Sequence, residues 1–486
     1  MASQNISFSQ IPASIRKPGV YGEFNTKLAV RSLPANVHNM CIIAQKIAAG
    51  TIAALKPIQV FSASDAATYF GIGSIAHKMV QAAIAGNQYL NLTVCALDDA
   101  IGSAAAAGSI VIGGPATSSG SLTIYIGNQA CEIAVANADT AATMATNLLA
   151  ALAAIADLPV SYAIDGVNNA KINFTAKNKG SVGNQIGIDY DTDSAAQIGV
   201  TITISAMAAG AVDPDITTAL AAIFASGHDL LAVQYIDQTS LTALATHLNT
   251  VSGPMEQRGA RGVYAMTGTL AAATTLAGQI NSERVNNPYL RGTRSTSYEV
   301  AACYCAVMAS EEDPAMPLNT LPLTGIAAPQ DDQRLSRAEQ ESCLWNGVAP
   351  LEVGAGENVQ IVRAISTYTK NPAGVADPSL LDTTTIATLD YTRLAVNTRL
   401  MLRFPRSKLT DGVPKVKPPT KDIVRSQVID VLKQEESLEI LQDVTANVDG
   451  IEVERDTQDN SRLDIKIPAK VVNGLHIIAE RIDLYL

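Results

Sequence analysis

Charged and aromatic side chains are scarce in this chain of 486 residues. Charged residues make up 16% of it and aromatic residues 5%, with a single tryptophan. No run of about 18 apolar residues occurs, so the sequence predicts no helix that inserts into a membrane. The first 20 residues lack a basic start followed by an apolar core, and we therefore expect no secretory signal peptide.

Two further shortages narrow the class of protein. The net charge of −11 argues against a nucleic-acid partner, because such a partner requires a surplus of lysine and arginine. The six cysteines are scattered along the chain, which is typical of a reduced cytoplasmic protein. A soluble protein with so few charges has surface to bury, and this favours large contacts between subunits.

The length predicts several domains, because a single hydrophobic core stops growing at roughly 250–300 residues. Composition shifts near residue 98 to Ala, Gly, Ser, Thr and Asn with alternating strands. From about residue 213, helices alternate with strands, which predicts an α/β domain with a mostly parallel sheet. The predicted segments are an N-terminal arm at 1–25, a first core segment at 26–97, a β-rich inserted domain at 98–210, the α/β domain at 211–365 and a C-terminal domain at 366–486.

Both ends of the sequence alternate between apolar and polar residues, as strands do. Near the C-terminus the pattern predicts a hairpin over 462–486 that turns at Asn473-Gly474. Two interpretations stay open: each end pairs within its own domain, which the pattern alone favours, or each adds a strand to a neighbouring subunit and builds a polymer. The candidate strand-exchange residues are Ile6, Phe8, Ile11, Ile477, Ile482, Leu484 and Leu486.

Hydrolytic chemistry would need a serine, a histidine base and an acid that orients the base. His228 in Ser226-Gly227-His228-Asp229 and His247 on a predicted helix are the histidines of the α/β region. No G-x-S-x-G nucleophile turn occurs in the sequence. We therefore interpret both histidines as packed or solvated residues and predict no catalytic residue.

Metal and cofactor motifs also fail on inspection. Asp189-x-Asp191-x-Asp193 resembles the start of a calcium loop, but its sixth position is Ser194 instead of glycine, so a polar hairpin turn is expected. Cys303-x-Cys305 falls on a predicted helix without a second ligand pair, which indicates two packed thiols and no zinc. The sequence predicts no metal and no cofactor.

A basic cluster stands out in this acidic chain. It comprises Arg403, Arg406, Lys408, Lys415, Lys417, Lys421 and Arg425. The last two lie on a helix that Thr420 is expected to cap. The cluster is either a solvated connector or an electrostatic contact with an acidic neighbour.

Several strings, in a fixed order along nearly the whole chain, resemble the tail sheath proteins of contractile bacteriophages, especially the Mu-like branch. They are Ile11-Pro12, Lys17-Pro18-Gly19-Val20-Tyr21-Gly22-Glu23, Met207-Ala208-Ala209-Gly210-Ala211-Val212-Asp213-Pro214, Pro317-Leu318-Asn319-Thr320, Val362-Arg363-Ala364-Ile365-Ser366-Thr367-Tyr368, Phe404-Pro405-Arg406-Ser407-Lys408-Leu409 and Asn460-Ser461-Arg462-Leu463-Asp464.

This resemblance implies a homo-oligomer of stacked hexameric rings around a tail tube, which contracts to drive the tube through the host envelope. It implies contacts with the tail tube protein, the baseplate and the tail terminator, and a place in the virion tail after assembly in the host cytoplasm. It also implies a non-catalytic, subtilisin-like α/β domain at 211–365. The C-terminal domain would lie near the tube, which makes Lys415, Lys417, Lys421 and Arg425 tube-contact candidates.

Two other functions compete with this interpretation. A cytoplasmic hydrolase of subtilisin-like fold would need a convergent Ser/His/Asp set, which the sequence does not offer. A static surface or adhesin protein would suit the Ala/Thr-rich inserted domain, but the scattered cysteines and the missing export signal argue against it.

Overall fold

The computed structural model describes residues 33–409 and 420–485, together with Lys17 and Gly19. Contacts divide the chain into two compact units. The large unit comprises Asn36–Tyr391 and Val471–Leu486, and the small unit comprises Met1–Ala35 and Thr392–Lys470. The predicted N-terminal arm at 1–25 lies outside the described residues, apart from Lys17 and Gly19.

The helices and strands are as follows in chain order. The first group is β1 (Asn39–Gln45), β2 (Ile58–Gln59), α1 (Ala63–Phe70), α2 (Ile75–Gly86) and β3 (Asn91–Leu97). The second is β4 (Ala105–Ile112), β5 (Gly120–Ile126), β6 (Gln129–Val135), α3 (Ala141–Ala153), β7 (Val160–Ile164), β8 (Lys171–Lys179), β9 (Ile188–Tyr190), α4 (Thr192–Gln197) and β10 (Ile202–Ala208). The third is α5 (Ile216–Ile223), β11 (Leu230–Val233), α6 (Gln238–Ser252), β12 (Arg261–Val263), α7 (Leu270–Ile280), β13 (Val285–Asn286), β14 (Pro288–Tyr289), α8 (Ser297–Met308), α9 (Arg337–Trp345), β15 (Ala349–Val353) and β16 (Val359–Ile361). The last is α10 (Thr383–Arg403), α11 (Lys421–Ser437), β17 (Glu452–Arg455) and β18 (Leu463–Lys466).

A six-stranded sheet in the order β13-β12-β11-β1-β3-β2 forms the centre of the large unit. All neighbours are parallel except the edge strand β2. Residues 40–45 of β1 are all buried, because helices cover both faces of a parallel sheet. Alternate side chains of β1 enter different cores: Ile42 packs with α1, α2 and α8, whereas Ile43 packs with α5, α6 and α7.

The central helix α8 shows how deeply this unit is packed. Glu299 is the one residue of α8 that is not buried. Its carboxylate accepts hydrogen bonds from the backbone N–H and the hydroxyl of Thr296 at 2.8 and 2.7 Å, which caps the helix. A helix that is apolar all round belongs inside a large core. None of the described helices is long and apolar enough to cross a membrane.

The predicted segments 26–97 and 211–365 do not form separate sheets. Strands β1 and β3 come from the first segment, and β11 to β13 come from the second. Ile42 pairs in register with Ala232 on one side and Val94 on the other. The two segments therefore share one sheet, which local patterns could not reveal because the pairing spans the whole inserted domain.

The contact-based division of the chain falls later than the predicted start of the C-terminal domain at residue 366. Residues up to Tyr391 belong to the large unit. There Arg284 holds Asp390 with two hydrogen bonds of 2.7 and 3.1 Å, and Ile365 bridges Asp382. The division of the chain falls within α10, since a continuous helix gives no local sign of a change in packing partners.

The inserted domain consists of two sheets, β10-β4-β8-β7 and β6-β5-β9, with α3 packed against their common core. Fully buried Phe174 and Leu148 contribute to that core. The chain enters and leaves side by side, because Ala104 and Ala211 exchange backbone hydrogen bonds of 3.0 and 3.2 Å. The domain thus closes on itself before the α/β pattern resumes.

The acidic string in this domain is not the predicted hairpin turn. Asp189 lies in β9, and its carboxylate accepts a hydrogen bond of 3.1 Å from Arg294 Nε. The guanidinium carbon of Arg294 also lies 3.7 Å from the ring centroid of Tyr125. Asp191 caps α4 by accepting from the backbone N–H of Asp193 at 3.0 Å. These carboxylates therefore fix local structure and the docking of the domain.

The small unit is built on the C-terminal part of α10 and on α11. Thr420 caps α11 as predicted, by accepting a hydrogen bond from Ile423 N–H at 3.4 Å. The apolar face of α11, which includes Val428 and Leu432, is buried. Arg399 Nη1 bonds Asp430 at 2.6 Å and thereby joins the two helices.

The predicted hairpin over 462–486 is wrong. Its first segment forms β18 and pairs with β17, where Val453 lies opposite Ile465. Asn473-Gly474 does not join two strands, since residues 472–485 contain no strand in the structure. The turn at 456–462, held by backbone bonds between Asp456, Asp459 and Arg462, brings β17 and β18 together instead.

We predict that the small unit becomes less stable as the pH rises through 7. Burial raises the pKa of Glu435 to about 7, against a weaker opposing effect of the Thr392 hydroxyl, which donates to it at 2.9 Å. A raised pKa in the folded state means that the stabilisation is complete below the unfolded value of roughly 4.3 and is lost above the folded value. Glu435→Gln should remove this pH dependence. At pH 8 it should raise the free energy of opening of α11, measured by hydrogen exchange, by about 1–3 kcal/mol.

Glu439→Gln is the matched control, because Glu439 is an exposed carboxylate next to the same helix. Equal pH profiles of α11 exchange in the wild type and Glu435→Gln, after subtraction of the control, would contradict this assignment.

Candidate functional site

A candidate ligand crevice exists where the order of the parallel strands reverses. From β1 the chain moves to β3 on one side, and after the inserted domain it moves to β11 on the other side. In open α/β sheets, ligands bind outside the carboxyl ends of the strands at such a point. Gln45 ends β1 here, and Gln234 follows the last residue of β11.

The two glutamines fill this crevice together with the inserted domain. Gln45 N–H donates to Gln234 Oε1 at 2.7 Å, and Gln234 Nε2 donates back to Gln45 Oε1 at 2.5 Å. Gln45 Nε2 donates to Asp99 Oδ1 at 2.8 Å and to the Lys179 carbonyl at 2.7 Å. At most 1% of either glutamine is exposed, so the network is closed to solvent.

Asn178 completes the closure from the inserted domain. Its Nδ2 donates to the Lys46 carbonyl at 2.9 Å and to Asp99 at 3.2 Å. Its Oδ1 accepts from the backbone N–H of Ile75, which opens α2, at 2.9 Å. The position where a doubly wound enzyme holds its ligand is therefore a buried structural joint.

The histidines named from the sequence form no catalytic pair within the described residues. Both ring nitrogens of His228 are buried and lack a hydrogen-bond partner there, and burial lowers its pKa. The Ser226 hydroxyl makes no hydrogen bond to His228. His247 packs edge-on against Phe224, with 5.9 Å between ring centroids; burial, followed by the charge of Arg258, lowers its pKa to about 4.

Sequence reasoning did not identify His38, a histidine that contacts an acid. His38 Nδ1 contacts Asp229 Oδ2, and its Nε2 lies 3.1 Å from the carbonyl oxygen of Glu311. Both ring nitrogens are therefore occupied by oxygen atoms of neighbouring residues. Only the pairing of β1 with β11 brings these residues together, so no local signal could have identified them.

Cys303 and Cys305 are packed thiols, as the sequence predicts, and the other four cysteines are packed as well. All six are free and buried, and burial raises the pKa of Cys303 to about 12. A thiol that resists ionisation makes a poor metal ligand. Among the described residues, no group of three or more His, Cys, Asp or Glu side chains could hold a metal ion.

The C-terminal segment is the candidate assembly site. We call residues 475–485 the terminal arm. Ile477, Ile482 and Leu484 are 80%, 85% and 83% exposed, which is unusual for isoleucine and leucine in a soluble protein. In the described chain the arm belongs to no sheet, and its backbone has no hydrogen-bond partner. Ile6, Phe8, Ile11 and Leu486 lie outside the described residues.

Two contacts hold the root of the terminal arm on the large unit. Asn319 Nδ2 donates to His476 Nδ1 at 2.9 Å, and His476 Nε2 lies 3.7 Å from Asp382 Oδ1. A Cβ on Gly474 would come within 2.4 Å of Pro317, so glycine is needed for this close approach. The arm is therefore fixed at its base and unpaired beyond it.

The tube-contact candidates separate into different environments. Lys421 is exposed at the first turn of α11, whereas Lys415 and Lys417 lie outside the described residues. Arg425 instead donates from Nε to the Ile451 carbonyl and from Nη2 to the Val448 carbonyl, both at 2.7 Å. Arg425 thus holds the small unit together in addition to any external contact.

Three further basic residues share the exposure of Lys421. Arg403, Arg406 and Lys408 follow one another at the end of α10 and are exposed. The described part of the chain gives none of them an ion-pair partner. They form a run of exposed positive charge that suits an acidic partner.

The fold and these surfaces define a large, multi-domain α/β protein equipped for assembly. Residues 209–367 match the family model described as the phage tail sheath protein central domain, and residues 375–484 match the phage tail sheath C-terminal domain. The chain belongs to the phage tail sheath family, in its Mu-like branch, and is a structural subunit of a contractile phage tail sheath.

A curated relative covers the whole chain. It is the Mu-like prophage FluMu tail sheath protein of Haemophilus influenzae, which is 32% identical over 490 residues, 99% of this chain and 100% of the relative. The resemblance stated from the sequence is therefore confirmed.

A solved structure shares the fold at low sequence identity. The sheath tail protein of Desulfitobacterium hafniense superposes with a TM-score of 0.51 at 13% identity, over 94% of this chain and 97% of that chain. This agreement supports the multi-domain α/β architecture of the sheath fold.

We predict that Asn178→Ala destabilises the large unit by about 1–3 kcal/mol, because it leaves the Ile75 N–H and the Lys46 carbonyl buried without partners. Urea unfolding of the full chain measures the loss. Asn169→Ala, at an exposed loop position of the same domain, is the control and should change nothing. Equal midpoints for the two variants would show that the joint is not stabilising.

Proposed function

We propose that the subunit polymerises as stacked hexameric rings around a tail tube and contracts to drive the tube through the host envelope. The exposed terminal arm carries this proposal, since an apolar segment with an unpaired backbone calls for a partner. The partners are other copies of the chain, the tail tube protein, the baseplate and the tail terminator. Assembly takes place in the host cytoplasm, and the product resides in the virion tail.

Strand exchange links the subunits in this proposal. The terminal arm, with Ile477, Ile482 and Leu484, leaves its own subunit together with the final residue Leu486 and adds to a sheet of a neighbour. The two-stranded sheet of β17 and β18 has two outer edges that can accept it. Ile6, Phe8 and Ile11 act in the same way at the other end of the chain.

The energetics suit a link that must persist while other contacts change. A donated strand of this length forms about five backbone hydrogen bonds, each worth roughly 1 kcal/mol net. Burial of each exposed isoleucine or leucine adds about 1.5–3 kcal/mol. The sum is large enough to keep subunits connected during contraction, while exposed ion pairs elsewhere break and form again.

The basic residues supply such weak contacts to the tube. Lys421, together with Lys415 and Lys417, faces acidic groups of the tube, and Arg425 supports them at the start of α11. Each exposed ion pair contributes only about 0.2–1 kcal/mol and weakens with salt, so the sheath can release the tube when it contracts. Arg403, Arg406 and Lys408 extend the same positive surface.

The central α/β domain has a subtilisin-like arrangement in this proposal and serves as a scaffold without catalysis. Its parallel strands with helices on both faces support the assignment. The closed joint at Gln45 and Gln234 supports a structural role over the hydrolase alternative, because it occupies the position where chemistry would take place.

We predict that Ile482→Asp with Leu484→Asp abolishes polymerisation and leaves a folded subunit. Both side chains are more than four-fifths exposed in the isolated chain, so the change costs little there, but it places charges in a donated strand. Negative-stain microscopy and sedimentation measure the polymer, and thermal unfolding checks the fold. Arg481→Gln with Asp483→Asn, on the same arm, is the control. Normal tubes from the double aspartate variant would refute strand exchange at this end.

We predict that Lys421→Glu impairs assembly around the tube but still permits tube-free polymers. Lys433→Glu is the matched control, since Lys433 is an exposed lysine near the other end of the same helix. Co-sedimentation with purified tube at rising salt measures the contact. Loss of tube-free polymers to the same extent would assign Lys421 to contacts between sheath subunits.

A further inference from the structure

Three helices on one side of the large unit carry no charged residue at all. Helices α5, α6 and α7 contain 8, 15 and 11 residues, and none is Asp, Glu, Lys or Arg. At the chain average of 16% charged residues, about five would be expected. Helix α11 has seven charged residues among 17, whereas α3 of the inserted domain also has none. What distinguishes α5, α6 and α7 is that three charge-free helices lie side by side.

These helices are not hidden in the isolated chain. Their inner faces pack on the sheet through Leu220, Leu244 and Leu276. Their outer faces are exposed and consist mainly of alanine and threonine. An exposed helix face in a soluble protein is normally charged, so an uncharged one indicates burial in a larger assembly.

A groove of about 720 Å³ runs between α5 and α6 on this side. Small side chains line it, with Phe224 and His247 among them. Burial and the charge of Arg258 lower the pKa of His247 to about 4, so its imidazole is neutral at pH 7. We call the exposed side of α5, α6 and α7, with this groove, the uncharged face.

The exposed threonines of α6 can be desolvated without leaving a hydrogen-bond donor unsatisfied. Thr246 Oγ1 donates to the Thr242 carbonyl at 2.8 Å, and Thr250 Oγ1 donates to the Thr246 carbonyl at 2.8 Å. Because these hydroxyl protons are already bonded within the helix, a partner can cover them without leaving a donor unsatisfied. Small side chains also let a second surface approach closely.

We propose that the uncharged face is a contact surface between sheath subunits, covered by a second copy of this chain. Charge matching selects this occupant. A nucleic acid needs lysine and arginine, which these helices lack. A charged protein surface would lose hydration without gaining a partner. A chain with 16% charged residues that assembles in many copies supplies a charge-poor surface at high local concentration. The contact does not depend on strand exchange.

Alkylation of a single introduced cysteine tests the proposal. The six native cysteines are buried, so Thr246→Cys in the full-length chain gives a specific signal. A maleimide should modify it roughly tenfold more slowly in tube-free polymers than in dispersed subunits, because the face is then covered. Thr68→Cys on α1, a helix that carries Asp65, is the matched control for reagent access, since Thr68 is exposed and its hydroxyl bonds its own helix at 3.1 Å.

Thr246→Lys gives a second measurement. It should reduce polymer yield at least several-fold, with the thermal midpoint of the dispersed subunit unchanged. Equal Thr246→Cys rates in polymer and dispersed subunit would overturn the proposal. Protection that arises only in complete tails would assign the face to a different tail protein and would also overturn it. Normal polymerisation of the variant with Ile482→Asp and Leu484→Asp would refute strand exchange at this end. It would not affect the proposal for the uncharged face.

Discussion

A parallel sheet that is covered on both faces leaves its polar groups to be satisfied at its ends, and the large unit is organised around that constraint. Side chains of β1 enter two cores in alternation, so helices must cover both sides. At the carboxyl end, the Gln45–Gln234 pair and Asn178 close the hydrogen-bond network with groups of the inserted domain. The inserted domain is therefore part of the fold, and its removal would expose unsatisfied polar groups.

Because the ligand crevice is filled, the features available for binding lie on the surface of the protein. A doubly wound sheet offers one favoured position for a ligand, and here that position is filled by the protein itself. What stays available are unpartnered surfaces: the apolar terminal arm, the positive residues near α10 and α11, and the uncharged face. Each has a different strength and reversibility, which suits a polymer whose subunits must stay linked while their contacts change.

Local signals in the sequence were sufficient for several elements. Thr420 predicted the start and the cap of α11, and the helix–strand pattern from about residue 213 predicted a mostly parallel sheet. The terminal hairpin failed because β18 found its partner in β17, and alternation alone does not identify a partner strand. The contact of His38 with Asp229 was invisible for the same reason, since 191 residues separate them.

The sequence by itself determined the family, the helices and strands with strong periodicity, and the low content of charged residues that favours assembly. These properties are determined by local strings and by composition. Only the tertiary structure decided that residues on both sides of the inserted domain share one sheet, that the ligand crevice is closed, and that the charge-free helices lie side by side on one surface. Those outcomes depend on pairing and packing between distant segments, where many partners satisfy the same local pattern and the free energy of the whole core selects one.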